Sequence, residues 1–295
     1  MKSLLVFNAR GGFGNQLFIA AAAMDLSQEL NSPTYISMLN VDKAHLRNGS
    51  DIRRVRLPKN LFSTSNPFYL SLIRITNSKK MNSAIKSILN HWVVNFEEKS
   101  DRHLNILEIS TIIKKFPRNK VILVNGYFQD FCYSKNLVGK LQDIFQQQET
   151  KYYTEFGFDY CAVHIRLGDM LKYTKSMGVL SKNFYEKAIS QINQVSSNPI
   201  LLISDDIQAA SKMLPQSSWG TVVPMQPGED AIIGFYRIMC GQSIVTSNST
   251  FSYWAAFLSR SASLVIVPSS TSFDKKTQIK NIPSNWLKIE SEWIE

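Results

Sequence analysis

The second half of the chain alternates short apolar runs with amphipathic segments, and this alternation constrains the fold more than any other feature. Residues 160–165 and 200–204 are apolar runs typical of buried parallel strands, and residues 183–195 between them have helical spacing. The pattern repeats as far as a predicted last strand at 264–267, which Pro268 ends. Such an alternation predicts a parallel sheet covered by helices on both faces.

The first half is less regular but also predicts α/β structure. Residues 3–8 and 34–38 are predicted strands around a helix over residues 16–29. Residues 121–124 form a further predicted strand, and an amphipathic pattern predicts a helix over residues 81–96.

The length of 295 residues permits two domains of about 150 residues each. A glutamine-rich stretch at 146–149 is the best candidate for the boundary, so we predict domains at 1–150 and 151–295.

Cysteine usage and hydropathy indicate a cytoplasmic protein. Cys132, Cys161 and Cys240 are odd in number, widely spaced and set among apolar residues, as expected of reduced thiols. No run approaches the roughly 18 to 20 apolar residues that cross a bilayer. Residues 1–7 are predicted to be a first strand and not a secretory leader.

The excess positive charge lies almost entirely in the first half. The net charge is +10; residues 1–150 hold 20 basic and 11 acidic side chains, and residues 151–295 hold 13 and 12. A basic surface can attract phosphorylated substrates or anionic lipid, or it can be a solvated face with no partner. No zinc-finger or RNA-binding motif accompanies it, so a nucleic-acid partner is not expected.

Three motifs follow predicted strands and carry the candidate site. Residues 11–16, Gly-Gly-Phe-Gly-Asn-Gln, could bring the backbone close to a ligand, or could simply make a tight turn. Residues 164–169 place Arg166 at the end of a buried strand, where an arginine can bind phosphate. An Arg166–Asp169 ion pair and a satisfied core His164 are the structural alternatives.

The third motif is a hydroxyl-rich turn at 246–250 that opens a helix. Its backbone N–H groups and hydroxyls suit a diphosphate, although ordinary helix capping explains them as well. Asp205 and Asp206 follow another strand and could bind a base, a ribose or a metal, or cap a helix. The chain contains no Asp-x-Asp triplet, the usual means of holding a nucleotide sugar through a metal. We therefore expect no metal and no cofactor.

Six motifs in this order resemble the inverting α-1,2-fucosyltransferases of glycosyltransferase family 11, of the bacterial O-antigen or capsule type. They cover most of the chain apart from the middle of the first half. The matching residues are 11–18, 125–129, 164–169, 184–189, 204–206 and 247–256.

The resemblance implies an α/β, GT-B-like fold, with two Rossmann-like domains facing a cleft and parallel sheets with helices on both faces. Domain 1–150 would lie on the acceptor side, and domain 151–295 would bind GDP-fucose. By the same resemblance Arg166 would hold the β-phosphate, and His164 and Asp205 would contact guanine or ribose. Asn248, Ser249, Thr250 and Phe251 would line the donor, and Gly12, Gly14, Asn15 and Gln16 would lie near fucose and acceptor.

The sequence departs from the family pattern at a few positions. Met170 stands where the family commonly has an aromatic residue, and Tyr253 stands where it commonly has Trp or Phe. Ile233 stands where the family often has an acid. Asp230 is the nearest carboxylate to Ile233, and its role is open for that reason.

The expected reaction is a single displacement with inversion, in which Arg166 and Asp169 are the catalytic candidates and Asp169 is a general base or orients Arg166. The expected partners are GDP-fucose and a galactose-terminated oligosaccharide, lipid-pyrophosphate-linked, at the inner face of an anionic membrane. A transferase for another nucleotide sugar and a non-catalytic GDP-sugar- or glycan-binding homologue are the alternatives.

Overall fold

The chain packs into two compact units, Met1–Gly139 and Lys140–Glu295. The computed structural model describes residues 3–41, 52–58, 61, 91–98, 104–118, 120–135, 137–153, 159–214, 222–224, 230–276 and 278–294.

The first unit is a parallel sheet with helices. Its strands among the described residues follow the order β2-β1-β4-β3, and every pair is parallel. The elements are β1 (Leu4–Asn8), α1 (Phe13–Leu30), β2 (Thr34–Ser37), β3 (Val93–Glu97), α2 (Ile106–Lys114) and β4 (Val121–Asn125).

Helix α1 is the central helix of this unit. Its first fourteen residues are buried except Asn15, as expected of a helix that is apolar on all sides. It ends at Asn31, which adopts the left-handed conformation that favours glycine or asparagine. The predicted strands at 3–8, 34–38 and 121–124 and the predicted helix at 16–29 are confirmed with small shifts at their ends.

The predicted helix over residues 81–96 is wrong where the structure describes it, because Val93–Glu97 is strand β3. Residues 81–90 lie outside the described residues. Val93 and Phe96 are both buried and three positions apart, which imitates helical spacing. Pairing with β4 in parallel register from Val93 to Glu97 decides for the strand.

The second unit is a larger parallel sheet. Among the described residues the strand order is β10-β9-β8-β5-β6-β7, again with every pair parallel. The elements are α3 (Val138–Tyr153), β5 (Cys161–Ile165), α4 (Lys182–Asn193), β6 (Ile200–Ser204), α5 (Ile207–Met213), β7 (Val222–Pro224), α6 (Ala231–Met239), β8 (Ser243–Val245), α7 (Thr250–Leu258), β9 (Leu264–Pro268) and β10 (Leu287–Ile289).

Helices cover both faces of this sheet. Cys161, Val163 and Ile165 of β5 pack into one apolar cluster with α4 and α5. The alternate residue His164 faces the other side, where its ring lies beside Phe251 of α7. The predicted α/β class with parallel sheets is therefore confirmed, as is the opposite orientation of Ile165 and His164.

Two predictions about this half need correction. Strand β9 is not the last, because β10 pairs with it in parallel from Leu287 to Ile289. The division between the units falls at Gly139, before the predicted boundary at residue 150. The glutamine-rich stretch belongs to α3, whose Phe145 ring lies 5.4 Å from the ring of Phe235 in the second unit.

Candidate active site

The strand order of the second sheet places a crevice between β5 and β8. From β5 the chain moves outward through β6 to β7, and it then returns to β8 and moves the other way to β10. In such doubly wound sheets ligands bind at the carboxyl ends of the strands, at the point where the direction reverses. The motifs 164–169 and 246–250 meet at this point, because they end β5 and β8 respectively.

Arg166 and Asp205 form the charged centre of this edge. Ile165 pairs with Ser204 in the β5–β6 ladder, so the two residues that follow them are neighbours. Arg166 Nη1 lies 3.2 Å from Asp205 Oδ2, and the Leu167 N–H donates to Asp205 Oδ1 at 2.9 Å. Asp205 thus uses one oxygen to hold the backbone and the other to orient the guanidinium.

Gly168 is required by the position of the Asp205 carboxylate. A Cβ atom at residue 168 would lie 2.2 Å from Asp205 Oδ2 and 2.9 Å from its Cγ. Any larger residue would displace the carboxylate from Arg166.

His164 is an uncharged ring beneath the hydroxyl-rich turn. The side chain is buried, and its Nδ1 lies 2.9 Å from Ser247 Oγ. Burial, and to a smaller extent the nearby charge of Arg166, lower the pKa of His164 to about 3. At neutral pH the imidazole can therefore donate from one nitrogen and accept at the other.

The turn before α7 is ordered by its own hydroxyl groups. Ser249 caps the helix by accepting from the Phe251 N–H at 3.3 Å, and Ser252 Oγ donates to the Ser249 carbonyl at 3.1 Å. The Phe251 ring stands between His164 and Phe235, with centroid distances of 5.6 and 5.3 Å. The nine-residue helix α7 begins at Thr250, so its N-terminus lies a few residues after the carboxyl end of β8.

The side chain of Asn248 holds a neighbouring loop. Its Nδ2 donates to the carbonyls of Met177 and Gly178, at 3.1 Å in each case. Asn248 is 4% exposed. It therefore fixes the segment after Arg166 against the turn, and its expected contact with the donor remains a prediction.

The other candidate carboxylates have separate positions. Asp206 accepts from the Ala209 N–H at 3.0 Å and caps α5, and Asp230 accepts from the Ile232 N–H at 3.1 Å and caps α6. Capping thus accounts for Asp206 and Asp230.

Asp169 opens a 3-10 turn, Asp169–Lys172, but its side chain lies outside the described part, so its role remains a prediction. Arg166 is paired with Asp205.

The glycine-rich turn of the first unit is held from within. Gly11 adopts a φ of +67°, which favours glycine. Gln16 is 1% exposed; its Nε2 donates to the Gly11 carbonyl at 2.9 Å, and its Oε1 accepts from the Ile52 N–H at 3.0 Å. Gln129 Nε2 donates to Asn15 Oδ1 at 2.8 Å. These contacts give Gln16 a structural function, while Gly12, Gly14 and Asn15 lie along the same turn.

A polar cluster at the edge of the first sheet was not predicted from the sequence. Glu98, directly after β3, accepts from the Tyr127 and Phe128 N–H groups through Oε2, at 3.0 and 2.7 Å. The available signal was a carboxylate directly after a strand. Residues 93–96 were predicted as the end of a helix, so no strand end was expected before Glu98.

Neither a metal site nor a membrane span is found in the part of the chain that the structure describes. No group of three or more His, Cys, Asp or Glu side chains there is arranged to hold a metal ion. No helix formed by those residues is both long and apolar enough to cross a membrane.

The fold of this chain is similar to those of solved glycosyltransferase structures. The heptosyltransferase WaaC of Escherichia coli with ADP has a similar structure, with a TM-score of 0.51 and 10% identity over 98% of this chain and 93% of that one. POFUT1 in complex with GDP has a TM-score of 0.53 and 13% identity over 90% and 98% of the two chains. At these identities the similarity shows the fold, which is that of the GT-B glycosyltransferases.

The sequence matches the model of glycosyl transferase family 11 over residues 7–290, and the chain belongs to this family. It is also 25% identical over 310 residues to the O-antigen biosynthesis glycosyltransferase WbnK of Escherichia coli, covering 95% of this chain and 98% of the relative.

Proposed function

We propose that this glycosyltransferase moves L-fucose from GDP-β-L-fucose to a sugar hydroxyl, with inversion and without a metal. Membership of family 11 supports glycosyl transfer. The GDP complex of the structurally similar POFUT1 is compatible with a GDP-linked donor. The absence of an Asp-x-Asp triplet from the whole sequence supports metal independence.

The observation that carries the proposal is the Arg166–Asp205 pair at the crevice between β5 and β8. A diphosphate leaving group gains negative charge as the bond to the sugar breaks. A guanidinium held in a fixed direction can meet that charge with little reorganisation. In the proposed complex Arg166 binds the β-phosphate, while His164 and Asp205 lie near guanine and ribose.

The turn before α7 complements Arg166 in this proposal. The backbone N–H groups at the start of a helix favour an anion, and Asn248, Ser249, Thr250 and Phe251 follow one another there. Two different sources of positive potential, a guanidinium and a helix N-terminus, would then share the diphosphate charge. This arrangement would replace a bound divalent cation.

The proposed reaction is one displacement at the anomeric carbon. The acceptor oxygen attacks C1 of fucose, the bond from C1 to the β-phosphate oxygen breaks, and GDP leaves with the electron pair. Asp169 is the proposed general base that takes the acceptor proton. Inversion of the β-linked donor gives an α-linked product.

The proposed acceptor is the 2-OH of a terminal galactose in an O-antigen or capsule oligosaccharide. The relative WbnK is named as an O-antigen biosynthesis glycosyltransferase, which supports an acceptor of the O-antigen type. We further propose that the acceptor is linked to a lipid pyrophosphate. The enzyme would then work in the cytoplasm, loosely bound to the anionic inner face of the membrane, and the basic first half supports such binding. Vesicle flotation that does not depend on anionic lipid would contradict the membrane contact.

The test is a transfer assay with GDP-fucose and methyl β-D-galactopyranoside in EDTA. We expect α-fucosyl-(1→2)-galactoside, identified by NMR, and a loss of roughly 100-fold in turnover for Arg166→Ala with an unchanged fold. Transfer from UDP-sugars or other GDP-sugars alone would assign a different donor. Donor binding with neither transfer nor hydrolysis would indicate a non-catalytic homologue.

A further inference from the structure

The carboxyl edge of the first sheet carries polar and aromatic groups that the donor proposal does not use. Asn8 ends β1, Asn125 ends β4, and Glu98 follows β3. Asn8 Nδ2 donates to Asn125 Oδ1 at 2.9 Å, and Arg10 Nη2 donates to the same oxygen at 3.4 Å. The edge where parallel strands end is where ligands bind to such sheets.

The backbone after β4 is shaped to hold the Glu98 carboxylate. Gly126 has a φ of +157°, and a Cβ there would lie 2.6 Å from Glu98 Oε2. Phe128 has a φ of +51°, which is rare for an aromatic residue, and its side chain is fully buried. Backbone conformations of this kind persist where the surroundings impose them, often at ligand sites. Here they direct the N–H groups of Tyr127 and Phe128 to one carboxylate oxygen.

This arrangement leaves one acceptor and one donor for a ligand. Glu98 Oε2 takes both N–H groups, and Oε1 makes no hydrogen bond to any described residue. Because arginine can only donate, the Arg10 contact fixes the Asn125 amide with its oxygen towards Arg10. The Asn125 Nδ2 then has no acceptor within the described ranges. Burial raises the pKa of Glu98, as it does for a carboxylate that has lost part of its hydration.

An exposed aromatic ring adjoins these polar groups. Tyr127 is 41% exposed, and the Arg10 guanidinium lies 5.4 Å from its ring centroid. Gln129, two residues further on, bonds Asn15 of the glycine-rich turn. The cluster therefore adjoins the glycine-rich turn, which the family resemblance places near fucose and acceptor.

We propose that Glu98, Asn125 and Tyr127 form a binding site for a neutral pyranose of the acceptor glycan. The carboxylate accepts from sugar hydroxyls, the amide donates to one, and the tyrosine ring packs against the C–H face of the sugar. The negative charge of the Glu98 carboxylate disfavours a phosphate here and favours an uncharged polyol. The proposal deepens the proposed function, since it names the acceptor-binding residues of the same reaction.

The test combines sugar binding with GDP binding in the same variants. In Glu98→Gln the new carbonyl can still accept both N–H groups, and an amide N–H₂ replaces the open oxygen. Glu97→Gln is the matched control, because Glu97 is an exposed neighbour with the same charge. Tyr127→Ala removes an exposed ring and supplies a second variant that does not depend on Glu98.

Saturation-transfer NMR with a panel of methyl hexopyranosides measures sugar binding, and calorimetry measures GDP binding. We expect sugar affinity to fall roughly ten-fold or more in Glu98→Gln and Tyr127→Ala, while Glu97→Gln and the GDP affinity of all three match the wild type. The proposal is overturned if both variants bind the sugars normally, or if the wild type binds none. It is also overturned if sugar and GDP binding fall together with the melting temperature. A wild type that binds sugar through Glu98 but prefers UDP would contradict only the donor assignment.

Discussion

Replacing Asp205 by Asn should weaken GDP binding without unfolding the protein. The Asn carbonyl can still accept from the Leu167 N–H, but the amide N–H₂ would face the Arg166 guanidinium, another donor. Arg166 then loses the carboxylate that orients it. The two side chains are 25% and 26% exposed, so the pair lies between a surface and a buried ion pair.

The expected loss follows from that position. A hydrogen bond to a charged group contributes about 1.5 to 3 kcal/mol, and exposed pairs contribute less than about 1 kcal/mol. We expect about 1.5 to 2 kcal/mol, which is roughly a ten- to thirty-fold rise in the Kd for GDP.

Calorimetric titration of GDP in EDTA measures this loss, and Asp206→Asn is the matched control. Asp206 adjoins Asp205 but caps α5, and asparagine is also a good cap. An unchanged Kd in Asp205→Asn, or an equal loss in both variants, would refute the positioning of Arg166 by Asp205. Circular dichroism and the melting temperature exclude unfolding as the cause.

Three further predictions test neighbouring contacts. Gly168→Ala should raise the Kd for GDP about as much as Asp205→Asn, since its Cβ would lie 2.2 Å from the Asp205 carboxylate; an unchanged Kd would contradict this. The wild type should lose about 2 kcal/mol of unfolding free energy between pH 7.5 and pH 5 because of His164. In the unfolded chain His164 binds a proton below about pH 6.5, whereas in the folded chain it binds one only near pH 3. Urea unfolding should show this loss in the exposed-histidine control His91→Gln but not in His164→Gln, and equal pH dependence in both would contradict it. Gln16→Ala should lower the unfolding free energy in urea by about 2 to 3 kcal/mol, because two backbone groups lose a buried partner; a loss below about 0.5 kcal/mol would contradict this.

The sequence was sufficient for most of the second sheet. Strands such as Ile200–Ser204 are buried on both faces, so each is a short continuous apolar run, and its length favours a strand over a helix. Leu287–Ile289 was missed because it is a short edge strand with exposed residues, and burial gave no signal. Val93–Glu97 was missed because its two buried residues are three positions apart.

The location of the site could be predicted from the sequence, but the contacts between its residues could not. Sequence proximity offered Asp169 as one possible partner of Arg166, and the structure adds a partner that the sequence did not indicate, Asp205, directly after the neighbouring strand β6. That pairing depends on the register of Ile165 with Ser204, which the sequence does not specify. The same limit applies to Glu98, whose contact with Tyr127 joins strands that are adjacent in space but separated in the chain.

Calorimetric titration of the wild type and Arg166→Ala with GDP and then UDP, in EDTA, tests whether Arg166 binds the nucleotide of a GDP-linked donor. We expect metal-independent binding of GDP by the wild type, much weaker binding of UDP, and loss of GDP binding in Arg166→Ala with an unchanged melting temperature. Equal affinity for the two nucleotides, or normal GDP binding by Arg166→Ala, would contradict the assignment of the donor to Arg166 and the turn before α7.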